Sequence, residues 1–218
     1  MAHVLFIRPC YDVETRKLVS WSNEVIDRLD MSDGLATFTD LLGNDVTEFN
    51  VLAALDDYVS LVVFHGHGGD SYFVSRRRDG LREMAITIET LTRGLLRDKI
   101  IYALACNSAR KLGRLSVQTG AKAYVGYAGL VSLTLGETER DFFVAASRFI
   151  LTLSMKTPGR SRTSCGDAFA ALKAAHEDIV AFYQSGRGVK SFNRAFYLAN
   201  AEDNLESLVL LGDYNATI

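Results

Sequence analysis

Two short segments carry the residue types that covalent catalysis requires. Leu61-Val62-Val63-Phe64 leads into His65-Gly66-His67-Gly68-Gly69-Asp70, and Ile100-Ile101-Tyr102-Ala103-Leu104-Ala105 leads into Cys106-Asn107-Ser108-Ala109. Each is an apolar run ending in reactive side chains, and in open parallel sheets catalytic groups gather beyond the carboxyl ends of the strands. If the two runs are neighbours, a histidine and a cysteine face one another across adjacent strand tips, a base beside a thiol nucleophile. His67 has glycine on both sides, and a residue without a Cβ lets substrate backbone approach and the chain turn sharply. We therefore read His67 as the base and Cys106 as the nucleophile. His65, two residues earlier, is the one rival for the role of base, and because alternate residues of a strand share a face it is expected to line the cleft as well. The backbone amides of Gly68 and Cys106 are the expected donors to a developing oxyanion. Asn107 or Ser108 is expected to cap a helix over residues 109–117, whose positive end, with Arg110 and Lys111 nearby, favours a thiolate.

The rest of the chain offers few competitors. It holds three cysteines and four histidines. Cys10 and Cys165 lack any comparable context and read as structural, and His176, beside Glu177 and Asp178, reads as a surface helix residue. A metal reading draws on His65-x-His67 with Asp70 or Cys106. A mononuclear zinc hydrolase wants three protein ligands and an open position, and only His3 and His176 remain to complete a histidine-rich set. The glycine cluster is not followed by the Lys-Ser/Thr of a phosphate-binding P-loop. No metal or cofactor is expected.

The elements that must position these residues are legible as apolar runs at 4–7, 36–42, 61–64, 100–105, 123–127 and 208–211. Between them lie segments with helical spacing, such as Trp21, Val25, Ile26 and Leu29, or Phe49, Leu52, Ala53 and Leu55. Continuous rather than alternating apolar strands, separated by helices, imply a mostly parallel sheet buried on both faces. Asp45 or Thr47 is the expected cap for the helix at Leu52, and further helices are expected over 87–97, 140–153 and 167–182. Residues 75–82, with three consecutive arginines, and 156–164, with Pro158 and Gly159, read as exposed loops. No repeat, linker or low-complexity tract divides the 218 residues, so one α/β domain is expected.

Composition closes several other routes. Lys and Arg total 24 against 26 Asp and Glu, so no basic field invites nucleic acid or an anionic membrane. The sparse, odd cysteine count argues for a reducing compartment, and neither a leader-like start nor a spanning apolar run is visible; a cytoplasmic protein is expected.

An apolar strand ending in His-Gly, followed about 40 residues on by one ending in Ala-Cys, resembles the caspase-like (clan CD) cysteine peptidases. Gly66-His67-Gly68 and Leu104-Ala105-Cys106-Asn107-Ser108 are most similar to the bacterial CHAT branch. The likeness extends to Gly120-Ala121-Lys122-Ala123-Tyr124-Val125-Gly126, to the Ala-rich stretch 168–175, and to Leu210-Leu211-Gly212-Asp213. It is weakest over 8–35 and 130–165. The resemblance implies a caspase-like three-layer α/β/α sandwich with a mostly parallel sheet of about six strands. It also implies a His67–Cys106 dyad without an identifiable third member. Histidine precedes cysteine here, the reverse of papain-like order. Where CHAT domains often carry a Trp after the strand that follows the cysteine, this chain has Gly129-Leu130, so the pocket shape differs. The resemblance further implies a protein or peptide substrate, such as a gasdermin or another dedicated target, a separate activator, and a defence or cell-death role. A catalytically silent caspase-like adaptor is the other class to separate.

Specificity stays open at this level. An acid at the pocket base would select Arg or Lys before the scissile bond, and Asp70, Glu137, Glu139 and Asp141 are the candidate occupants. Metacaspases often place an acid two residues before the cysteine, where Leu104 stands here, so an apolar pocket for Leu or Met is an equal expectation. Self-cleavage in the 75–82 or 156–164 segment is a further expectation from their basic character.

Overall fold

A computed structural model describes residues 2–31, 36–78, 81–154, 162–186 and 191–218. In chain order the elements are β1 (Ala2–Arg8), α1 (Val13–Asp30), β2 (Ala36–Leu42), α2 (Glu48–Ala54), β3 (Val59–His65), β4 (Gly68–Gly69), β5 (Tyr72–Arg78) and β6 (Leu81–Thr87). They continue with α3 (Ile88–Leu91), β7 (Ile100–Leu104), α4 (Lys111–Gln118), β8 (Ala123–Tyr127), α5 (Glu139–Ser154), α6 (Cys165–Gln184), α7 (Ser191–Ser207) and β9 (Leu208–Gly212). Six strands form one sheet in the order β2-β1-β3-β7-β8-β9, parallel except for β9, which runs antiparallel to β8. All six apolar runs of the sequence are these strands.

The continuous apolar strands follow from burial on both faces. Along β3, Leu61 and Val63 enter one core while Val62 and Phe64 enter the other; along β7, Ile100, Tyr102 and Leu104 face one and Ile101 and Ala103 the opposite one. The first core is closed by α1, α5 and α6 through residues such as Leu18, Phe149 and Leu172, and the second by α2 and α4 through Val51 and Leu112. The result is the expected three-layer α/β/α sandwich. Among the described residues, no helix is long and apolar enough to cross a membrane.

Several local expectations change. Residues 75–78 and 81–82 are not loop: they belong to β5 and β6, an antiparallel pair that joins β4 in a second, three-stranded sheet. Arg76 satisfies its charge across the pair, donating from Nε to Glu83 Oε2 at 2.5 Å, while the neighbouring Ser75 is buried. The tip at 79–80 lies outside the described residues, as do 156–161 of the second expected loop. The helix expected over 87–97 is only the single turn of α3, capped by Thr87 and followed by turns through Gly94 at φ +70°. Thr47, not Asp45, caps α2, accepting from the Asn50 amide at 3.1 Å.

His176 is buried rather than on the surface. It shares the inward stripe of α6 with Leu172, Ile179 and Tyr183, while Glu177 and Asp178 face outward. Its Nδ1 donates to the Leu172 carbonyl at 3.1 Å, so Nε2 is the acceptor for the Tyr127 hydroxyl at 3.2 Å. Burial lowers its pKa to about 4, which keeps the ring neutral.

Candidate active site

Strand register brings the two reactive segments together. β3 and β7 are adjacent and parallel, paired from Leu61 with Ile100 to His65 with Leu104, and the Gly66 amide extends the ladder by donating to the Leu104 carbonyl at 3.2 Å. His67 and Cys106 each stand two residues beyond the last pair. Both line one cleft of about 250 Å³, walled by α1 on one side and by residues 131–134 on the other.

His67 is held from α1. Asp12 is the N-cap of that helix, with Oδ1 accepting from the Thr15 amide at 2.9 Å and the Thr15 hydroxyl reciprocally accepting from the Asp12 amide at 3.0 Å. Its second oxygen, Oδ2, lies 2.9 Å from His67 Nε2. A carboxylate can only accept, so Nε2 carries the proton and Nδ1 keeps the lone pair. Partial burial pushes the Asp12 carboxyl up, but the hydrogen bonds from Thr15 and the charge and hydrogen bond of His67 outweigh it and leave it below its ordinary range. The Tyr11 ring flanks the imidazole at 5.9 Å between centroids. Sequence reasoning missed Asp12, whose only local signal is the Asp12-x-x-Thr15 start of a helix.

Cys106 is fixed by the segment after β8. The Asn107 amide donates to the Gly129 carbonyl at 2.7 Å, the Ala109 amide to Tyr127 at 3.0 Å, and Arg110 Nε to Ala128 at 2.6 Å. The Val131 amide donates to Cys106 Sγ at 3.3 Å. Asn107 turns the chain at φ 55°, so neither it nor Ser108 caps the following helix, which starts only at Lys111. The carbonyl of Asp70 takes over that task, accepting from the amides of Lys111 at 3.2 Å and Leu112 at 2.7 Å. This pair of bonds ties the loop that carries His67 to the loop that carries Cys106.

Close packing explains Gly68. A Cβ there would stand 2.9 Å from the Ala105 Cβ and 3.2 Å from the Cys106 carbonyl oxygen. Because the Val74 amide donates to the His67 carbonyl, residue 68 falls opposite Phe73 at a non-bonded rung, which turns its N–H away from β5.

The remaining candidates lie elsewhere. His65 does not line the cleft: strand alternation sends it inward, 1% exposed and edge-on to Tyr102 at 6.0 Å. Burial and the charge of Arg8 lower its pKa to about 3, and neither ring nitrogen has a hydrogen-bond partner among the described residues. Asp70 points toward Arg110, with 3.8 Å from Oδ1 to Nη1. Glu137 is exposed in the turn before α5, Glu139 pairs with Lys17, and Asp141 lines a separate groove between α5 and α6. Among the described residues, the acid that lines the cleft is Glu14, in the first turn of α1.

The alternative metal set at His65 and His67 is not assembled among the described residues, because His65 is sealed in the core. Among the described residues, Asp12, Glu14 and His67 bring one donor atom each within 4.8 Å of one another. Asp12 and His67 already bond each other there, and the positive end of α1 opposes a cation. Cys165 is inert: burial pushes its thiol up to about 12.

No family profile matches the chain. No curated protein sequence matches it either. Solved structures do. The Arg-specific cysteine proteinase gingipain R superposes with a TM-score of 0.67 at 14% identity, over 99% of this chain and 47% of that one. The complex of pro- and mature domains of RgpB from Porphyromonas gingivalis superposes with a TM-score of 0.59 at 13% identity, over 100% and 48%. The chain thus spans about half the length of the gingipain structures it matches. At this identity the likeness concerns architecture, and it gives the chain the caspase-like three-layer fold of these cysteine proteinase structures.

Proposed function

We propose that the chain is a cysteine endopeptidase working through Cys106 and His67, with Asp12 orienting the histidine. The observation that carries this reading is the placement of both residues, two positions past paired strand ends, in one cleft. The cysteine proteinase class of the gingipain structures sharing the fold supports it.

In the proposed cycle His67 Nδ1 takes the thiol proton as Cys106 Sγ attacks a peptide carbonyl. Asp12, bonded to Nε2–H, holds the ring in the required tautomer and stabilises the imidazolium that forms. The amides of Gly68 and Cys106 receive the oxyanion. The imidazolium then protonates the departing amine, leaving an acyl-enzyme on sulfur. His67 next activates a water molecule, which attacks the thioester, releases the acid product and restores the thiol.

The CHAT-like forms around His67 and Cys106 support assignment to that branch, acting in the cytoplasm on a dedicated protein target such as a gasdermin in a defence or cell-death pathway. The test is proteomic mapping of cleavage sites with wild type against Cys106→Ala. Cleavages present only with wild type support the reading. An identical cleavage map for the two proteins overturns it.

A further inference from the structure

Resting on the peptidase reading, we infer that the cleft beside Cys106 accepts an apolar, Leu- or Met-class side chain before the scissile bond, with Leu18 and Leu104 as its floor.

The lining residues sort by depth. Leu18, Leu104 and Ala105 are the deep ones, at 4%, 1% and 2% exposure, and all are apolar. Val131 and Leu133 form a half-buried wall, whereas Glu14 and Thr134 are exposed. Helix geometry explains the arrangement on α1. Glu14 and Leu18 are one turn apart on the same face, so Leu18 lies about 6 Å further along the axis from the Asp12 end, which is the mouth. The Glu14 carboxylate stays at that mouth, with donor atoms of Asp12 and His67 within 4.8 Å.

A side chain entering beside Cys106 therefore passes Glu14 and ends among leucines. Among the described residues, the floor offers a lysine or arginine no acidic side chain, and neither Lys nor Arg lines the cleft to meet an aspartate or glutamate. An apolar side chain loses only water there. The cleft volume of about 250 Å³ leaves room for one.

The wall is also preformed. Asn204 is fully buried in α7 and clamps Ser132 from both sides, its Oδ1 accepting from the Ser132 amide and its Nδ2 donating to the Ser132 carbonyl, each at 2.9 Å. Asn200 Nδ2 donates to the Thr134 carbonyl at 2.8 Å. A wall pinned through its main chain keeps its side chains in place, so discrimination is built in before substrate arrives.

The experiment competes three irreversible peptidyl acyloxymethyl ketones, identical except for Leu, Lys or Asp at the position occupying the cleft, and reads the Cys106 adduct by intact mass. The expected result is labelling by the Leu probe at least about 100-fold faster than by either charged probe. Comparable or faster labelling by the Lys or Asp probe overturns the pocket assignment and leaves the peptidase reading standing. Absence of a Cys106 adduct with every probe overturns both. A Leu104→Ala variant adds an independent reading: a deeper floor shifts the preference from Leu toward Phe, and an unchanged preference excludes Leu104 from the pocket.

Discussion

Asp12 Oδ2 lies 2.9 Å from His67 Nε2, although 55 positions separate the two residues in the chain. The carboxylate that starts α1 thereby also decides which imidazole nitrogen is free to act as a base. This double duty makes the two contributions of Asp12 separable. Asp12→Asn keeps an oxygen for the Thr15 amide but turns its amide nitrogen, a donor only, toward His67 Nε2, which favours the tautomer with the proton on Nδ1 and blocks the base. A fall in kcat of about 100-fold or more is expected, with a melting temperature close to wild type. Asp12→Ala loses the cap as well and is expected to cost about 1 kcal/mol of stability in addition. Steady-state kinetics beside thermal denaturation checks both.

The proposed cycle gives the two histidines at the end of β3 opposite roles. His67→Ala is expected to lower kcat/KM by about 100- to 10,000-fold, the range for losing a positioned general base. His65→Leu replaces a neutral, core-facing ring and is expected to keep activity within about threefold, since nothing in the proposed cycle passes through it. Equal losses in the two variants would contradict the assignment.

Stability should fall on mild acidification. His65 and His176 have folded-state pKa values lowered from 6.5 to about 3 and about 4, so between those limits the unfolded chain binds more protons than the folded one. Their contribution is complete above pH 6.5 and is lost as pH falls toward 4 and then 3. With two such groups, the unfolding free energy should drop by up to about 2.7 kcal/mol per pH unit in the steepest part of that window. The Asp12 carboxyl, held below its ordinary value of 3.8, adds a loss only under more acidic conditions. Urea titrations at several pH values measure the slope, and His65→Leu should remove about half of it.

Gly68→Ala tests the packing between the two loops at the cleft. Its new Cβ would stand 2.9 Å from the Ala105 Cβ, forcing apart the segments that carry His67 and Cys106. Activity is expected to fall by at least about tenfold, with a stability loss of about 1–3 kcal/mol typical of overpacking. Wild-type activity in this variant would exclude close contact at this point.

What the sequence reveals depends on how local each signal is. The central strands are legible because burial on both faces writes continuous apolar runs, as in Leu61 to Phe64. Strand β5 is hidden by its arginines: Arg76 balances Glu83 across a hairpin, and a pairing of that kind looks like a charged loop until the partner strand is seen. His176 is misread through Glu177 and Asp178, although its helical spacing from Leu172, Ile179 and Tyr183 marks the inner face. Asp12 and Glu14 reach the site only because β1 places the start of α1 beside the tips of β3 and β7. Asp70, a plausible pocket acid by spacing, is used through its backbone carbonyl, a role that no side-chain pattern reports.

The proposed function turns on Cys106 being a nucleophile activated by His67. The most direct measurement is the rate of covalent modification of Cys106 by a peptidyl ketone, compared among wild type, His67→Ala and Cys106→Ala, with peptidase activity followed in parallel. A wild-type adduct at Cys106 that accompanies loss of activity, slowed by at least about 100-fold in His67→Ala and absent in Cys106→Ala, is the predicted result. Full peptidase activity in Cys106→Ala, abolished by a chelator, would contradict it.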